Sequence, residues 1–143
     1  MLNSCMEKLN GKKVVVAGAT GGIGSSLVKL LVQSGAEVFI TGRNNEKLSN
    51  IAASHGIPSS HFLAADISDG AQMELLADTV LSRIGTPDIL INLAGIGIIK
   101  PMEQLSLDDF SRSIQTNLIG AFLFVKSFLP AMKEVKKGLI INV

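Results

Sequence analysis

Four small apolar residues, Val14-Val15-Val16-Ala17, run directly into Gly18-Ala19-Thr20-Gly21-Gly22-Ile23-Gly24. Ser25-Ser26-Leu27-Val28-Lys29-Leu30-Leu31-Val32 follows, with apolar residues at helical spacing. Strand, tight glycine turn, helix is an order that restricts the chain to an α/β layer. It also makes a candidate phosphate site. The start of a helix offers unpaired N–H groups and the positive end of its dipole, and glycines let phosphate oxygens reach the backbone. A turn that serves the fold alone is the competing reading of the same glycines.

The alternation of strand and helix continues to the last residue. Residues 14–17 read as a first strand and 22–34 as a first helix, with Gly35 as its stop. Residues 37–41 read as a second strand. Asn44 or Asn45 can cap a helix to about His55, ended by Gly56 and Pro58. Residues 61–66 are a third strand, and Ser68 or Asp69 caps a helix through Met73, Leu76, Val80 and Ile84 to Gly85. Residues 88–92 make a fourth strand, followed by a glycine-bearing loop to Pro101. Ser106 can cap a long helical region, 107 to about 137, with apolar positions Phe110, Ile114, Leu118, Phe122, Val125 and Leu129. Pro130 is expected to bend or break it. Residues 139–143 read as a fifth strand. Strands with so few polar positions, separated by helices, predict a parallel sheet covered on both faces, doubly wound and Rossmann-like.

Composition narrows the function classes. A single domain spanning 1–143 is expected. It is 47% hydrophobic and 17% charged, which speaks against a disordered chain. The net charge of +1 gives no electrostatic case for nucleic acid or an anionic membrane. No apolar run approaches the ~20 residues of a membrane span. The lone Cys5 has no internal disulfide partner, and no apolar leader is visible in residues 1–10, so a cytoplasmic setting is expected. No metal site is read.

Ligands of doubly wound sheets bind beyond the carboxyl ends of the strands, so the residues there are the candidates. Gly18, Ala19, Thr20, Gly21, Gly22, Ile23 and Gly24 lie after the first strand. After the second comes Arg43, where a carboxylate for a ribose 2′-hydroxyl would otherwise stand. Its planar cationic fork suits a 2′-phosphate, which favours NADP over NAD. A solvated surface cation is the alternative. After the third strand, Asp66 can accept from an adenine amino group while Ile67 packs on the ring; as a lone residue, Asp66 reads equally as an early helix cap. After the fourth, Asn92, Ala94 and Gly95 combine an amide that can brace backbone with small residues that allow close approach. Asn117 is a polar residue among Leu118, Ile119 and Phe122; alone it reads as an ordinary helix asparagine. Ile96, Ile98, Ile99 and Met102 make either an apolar substrate wall or ordinary loop packing.

Together these residues resemble the short-chain dehydrogenase/reductase family, over essentially the whole chain. Gly18, Gly22 and Gly24 match its Thr-Gly-x-x-x-Gly-x-Gly motif, with Ala17 in the threonine position. Asp66 matches its adenine-contacting aspartate. Asn92-Leu93-Ala94-Gly95 is similar to its Asn-Asn-Ala-Gly motif, and Asn117, within Thr116-Asn117-Leu118-Ile119-Gly120, matches its catalytic asparagine. Gly18, Gly21 and Gly24 also fit the spacing of the family's larger, epimerase-like branch; the Asn92 and Asn117 contexts favour the single-domain reductase branch.

The resemblance implies an NADP-dependent oxidoreductase that moves a hydride between NADPH and a small-molecule carbonyl or alcohol. It implies Asn117 in support of a water-linked proton path, and a long helix that associates in homo-oligomers. It also implies a serine after the fifth strand and a Tyr-x-x-x-Lys pair. Neither is in this sequence, which contains no tyrosine. The expectation is five strands with the C-terminal strands missing, the N-terminal portion of such an enzyme. Two alternatives stand beside it: a non-catalytic dinucleotide-binding module or sensor acting through a partner, and a remnant that folds poorly.

Overall fold

A computed structural model describes residues 9–143. Cys5 and most of the segment read for a leader lie outside the described residues. Five strands, β1 (Lys13–Ala17), β2 (Glu37–Gly42), β3 (Phe62–Ala64), β4 (Ile89–Asn92) and β5 (Leu139–Asn142), form one sheet in the order β3-β2-β1-β4-β5. Every pairing is parallel. The connections are α1 (Gly22–Gln33), α2 (Asn45–His55), α3 (Gly70–Arg83) and a last crossover made of α4 (Leu107–Ile114), a π-helical segment (Gln115–Gly120) and α5 (Ala121–Glu134).

Side chains of a strand alternate between faces, and β1 divides its valines accordingly. Val15 and Ala17 join Phe39 and Leu90 beneath α3 and α5, against Met73, Leu76, Val80, Phe124, Phe128 and Met132. Val14 and Val16 join Val38, Ile40 and Ile91 beneath α1 and α2, against Val28, Leu31, Leu48 and Ala52. Burial on both faces is why β1 carries no polar residue after Lys13. Phe124 and Phe128 meet edge to face, with ring centroids 5.4 Å apart.

The helix starts resolve the alternatives left by the sequence. Asn44 caps α2, accepting from the Lys47 N–H at 2.8 Å. Asp69, not Ser68, caps α3 through the Gln72 N–H. Ser106 caps α4 in a reciprocal box with Asp109. β3 is shorter than expected: the Ala65 N–H still donates to the Gly42 carbonyl at 3.0 Å, but the Asp66 N–H is taken by the Gln72 side chain at 2.9 Å, which ends the pairing with β2 there.

Two expectations need correction, both on the last crossover. α5 runs through Pro130 to Glu134 without a break. The ring removes one N–H on the outer side of the helix, while Phe124, Phe128 and Met132 anchor the inner side. The departure from α geometry comes earlier, at the π segment. Secondly, the apolar positions picked out by periodicity are not the packed face. Phe110, Leu118 and Phe122 are exposed, and the sheet is met by Phe124, Phe128 and Met132. The same crossover, Leu107–Glu134, is a continuous stretch of 28 residues with mean hydropathy 1.2 in its most apolar window, enough to cross a bilayer by length and composition alone, while polar residues such as Gln115 and Asn117 keep its unbroken apolar runs short.

β5 is an edge strand. Ile140 packs on the core, while Leu139, Ile141 and Val143 are exposed. Its entry is tied down by Asp88, whose carboxylate accepts from the Lys137 ammonium at 2.6 Å and from the Lys13 N–H at 3.1 Å. The Lys137 ammonium, and after it the Lys13 N–H, hold the Asp88 carboxyl below its usual range.

Candidate functional site

The turn between β1 and α1 is lashed to its neighbours by backbone alone. The N–H groups of Gly18 and Ala19 donate to the Thr41 carbonyl at 3.0 and 3.2 Å, and the Gly21 N–H closes the turn on the Gly18 carbonyl at 3.1 Å. Gly18 has φ +78°, and an added Cβ would stand 2.6 Å from the Ala94 nitrogen. At Gly24 an added Cβ would overlap the Gly18 carbonyl oxygen. Side chains at these two positions would push α1 away from the turn and the turn away from β4.

α1 begins with its donors free. Gly21 occupies the cap position, no side chain caps the helix, and its first turn carries no acid. The first backbone bond is from the Ser25 N–H to the Gly21 carbonyl at 2.9 Å. The N–H groups of Gly22, Ile23 and Gly24 therefore have no intrahelical acceptor. They sit at the positive end of a helix of 12 residues.

Two connected chambers lie beyond the carboxyl ends of the strands, where the chain reverses its winding between β1 and β4. The first, ≈ 210 Å³, is lined by Gly18, Thr20, Arg43, Asp66 and Ile67 among others. The second, ≈ 470 Å³, is lined by Gly22, Ile23, Gly24, Asn92 and Asn117. Gly18, Gly21, Leu93, Ala94, Gly95 and Ile96 border both. The glycine turn thus stands at the waist of an elongated cleft, which suits a ligand with phosphates at its middle and a ring system at each end.

Of the loop residues read as a substrate wall, Ile96 lines this cleft whereas Ile98, Ile99 and Met102 do not, Ile99 and Met102 being exposed; of the other residues singled out, all but one line it. The exception is Ala19: it is fully buried in the core beneath α1, and its N–H is spent on Thr41, so its role is to pack the turn. Arg43 is exposed and lines the first chamber, as does Asp66. Asp66 does not cap α3. Its Oδ1 accepts from the Ser68 N–H at 2.9 Å and from the Ser68 hydroxyl at 2.7 Å, which orients the carboxylate. Asn92 is buried, 4% exposed; its Oδ1 accepts from the Ala94 N–H at 3.0 Å and its Nδ2 donates to Asn142 at 3.3 Å. That is the backbone brace expected of it, extended to β5.

Asn117 reaches the cleft from the π segment. Its Oδ1 accepts from the Ile96 N–H at 2.8 Å and its Nδ2 donates to the Ile96 carbonyl at 2.9 Å. Both ends of the amide are committed to one residue of the loop after β4. Single-turn π segments often mark functional positions because they re-aim side chains, and here Asn117 is so placed. Thr41, Leu93, Thr116 and Asn142 also line the chambers and were not picked out. Thr41 read only as the end of a strand, although its hydroxyl, bonded to the Leu63 carbonyl at 2.7 Å, and its carbonyl tie β1, β2 and β3 together at the mouth.

A family model described as short chain dehydrogenase matches residues 12–143. Among curated proteins, the chain is 36% identical to an uncharacterized oxidoreductase of Mycobacterium bovis, covering 96% of this chain and 42% of that protein. It is 34% identical to D-threitol dehydrogenase of Mycolicibacterium smegmatis, covering 94% and 53%. Among solved structures, it superposes on actinorhodin polyketide ketoreductase with NADPH at TM-score 0.85 and 29% identity, covering 92% of this chain and 52% of that one. The chain spans about half the length of the curated relatives it matches.

Proposed function

The chain belongs to the short chain dehydrogenase family, and from that premise we propose that its cleft binds a nicotinamide dinucleotide, NADP in preference to NAD. The observation that carries the reading is the waist of the cleft: three helix-start N–H groups with no intrahelical acceptor, facing a turn in which Gly18 and Gly24 leave no room for a side chain. The pyrophosphate sits there. The adenosine end takes the first chamber, with Asp66 toward the adenine amino group, Ile67 on its ring and Arg43 on the 2′-phosphate. Gly95 and Ala94 admit the cofactor closely, and the nicotinamide end takes the second chamber.

When bound, such a dinucleotide supplies a hydride donor or acceptor. The residues of this chain bind and orient it. Asn117 holds the wall at Ile96, which is its part in catalysis in this reading. Relatives named as a dehydrogenase and a ketoreductase support hydride transfer to or from a small carbonyl or alcohol in the whole enzyme. The serine and the Tyr-x-x-x-Lys pair implied by the resemblance are not among these residues, so cofactor binding is the activity to measure on this chain. A cytoplasmic setting and association with a second copy through the outer face of α4 and α5 belong to the same proposal; a lone cysteine supports the first and the exposed apolar residues of that face the second.

Arg43→Ala gives the test of cofactor choice. With its guanidinium on the 2′-phosphate, the wild-type chain binds NADPH more tightly than NADH. The substitution weakens NADPH by about tenfold, roughly 1.4 kcal/mol for one exposed charge-assisted contact, and leaves NADH nearly unchanged. Fluorescence titration of both dinucleotides reads this out. An unchanged NADPH-to-NADH ratio would show that Arg43 is only a solvated cation.

A further inference from the structure

The loop of residues 95–101 leaves β4 as a wall of the cleft and ends ahead of α4. Two contacts hold it. At its near end Ile96 is paired with the Asn117 amide. At its far end, four residues on in the chain, the Lys100 ammonium donates to Asp109 Oδ2 at 2.6 Å.

Asp109 is not an ordinary surface acid. It is 8% exposed, one of three buried polar residues among those described. Its Oδ2 also accepts from the Ser106 N–H at 3.2 Å, and its own N–H donates to the Ser106 hydroxyl at 3.1 Å. The carboxylate is therefore fixed by the helix cap, independently of Lys100. The cap needs only Ser106 and Asp109. What the lysine adds is a tether from the loop to a rigid helix start.

We propose that Lys100 is a positioning residue for the cleft: its ion pair with Asp109, acting with the Asn117–Ile96 pair, sets where Ile96 stands in the wall common to both chambers. The effect on cofactor affinity rests on the dinucleotide reading; the effect on Ile96 does not.

The Lys100 ammonium, then the Ser106 hydroxyl and N–H, hold the Asp109 carboxyl down to about 2. A carboxyl depressed on folding stabilises above its ordinary value of 3.8 and loses that contribution as pH falls toward 2. The tether is thus permanent at physiological pH rather than a switch.

Lys100→Met keeps the aliphatic stem and removes the charge. By amide hydrogen exchange on the intact chain, the Ile96 N–H, which is protected by Asn117, exchanges about 3- to 10-fold faster in this variant. Lys100→Arg restores protection to within about twofold, because a guanidinium can make the same contact. Asp109→Asn keeps a capping acceptor and gives the same local loss. Protection of Ile96 relative to its intrinsic rate is flat from about pH 5 to 8. NADPH affinity in Lys100→Met falls several-fold in parallel. Unchanged protection of Ile96 in Lys100→Met overturns the proposal, as does acceleration of β1 and β2 amides to the same degree, which marks a global loss of stability. If Ile96 responds but the wild-type chain takes up no NADPH, the tether stands and the dinucleotide reading falls.

Discussion

A methyl group added at Gly24 would overlap the Gly18 carbonyl oxygen, whereas one added at Gly22 would meet nothing within 4 Å. The two glycines share a motif and a turn, yet only one is sterically required. Gly24→Ala should therefore cost about 1–3 kcal/mol of stability, the usual penalty for overpacking, and remove NADPH binding by displacing the start of α1. Gly22→Ala should unfold at close to the wild-type urea concentration. Equal midpoints for all three chains would mean that α1 does not bear on the turn as closely as the geometry indicates. The spacing of glycines was legible in the sequence; which of them carries contact was not, because that depends on where α1 crosses the turn. Asp66 and Asn92 were similarly visible by position at strand ends. The partner of Asn117 was not, since Ile96 lies 21 residues away and meets it only through the π segment. Lys100 and Asp109 gave no signal at all, because a capping box and a loop lysine are each ordinary until the fold brings them together.

The strands and the first three helices were readable because their patterns have one cause. β1, β2 and β4 are buried on both faces, and α1 to α3 each present one apolar stripe to the sheet. The last crossover has two apolar stripes, and this is where sequence reasoning went astray. Phe124, Phe128 and Met132 meet the core, while Leu118 and Phe122 on the outer side remain 63% and 60% exposed. Periodicity registers a stripe without saying which surface covers it. An outer stripe of this kind, running from Leu107 to Leu129, is the surface we assign to a second copy. Sedimentation should then show a dimer whose population grows with concentration, and Phe122→Glu should shift the chain to monomer while leaving its helical circular dichroism intact. A wild-type chain that stays monomeric across the accessible range would remove that assignment.

At the scale of the molecule, the all-parallel strand order β3-β2-β1-β4-β5 brings the carboxyl ends of all five strands to one side of the sheet. Residues as distant as Gly18, Arg43, Asp66 and Asn117 thereby face one cleft. That convergence follows from parallel winding with right-handed crossovers, which is why a strand-by-strand reading could assemble most of the site before any contact was known. The chain spans about half of the curated relatives it matches, and the part of the family's layout that we propose it holds is the cofactor half of the cleft. On this proposal, that half works as a binding site by itself. Isothermal titration of the folded chain with NADPH tests it most directly. Saturable binding of one dinucleotide per chain is expected, displaced by NADP and lost in Gly24→Ala. A sample that unfolds cooperatively in urea, and so is properly folded, yet releases no heat and shows no saturable uptake of NADPH would contradict it.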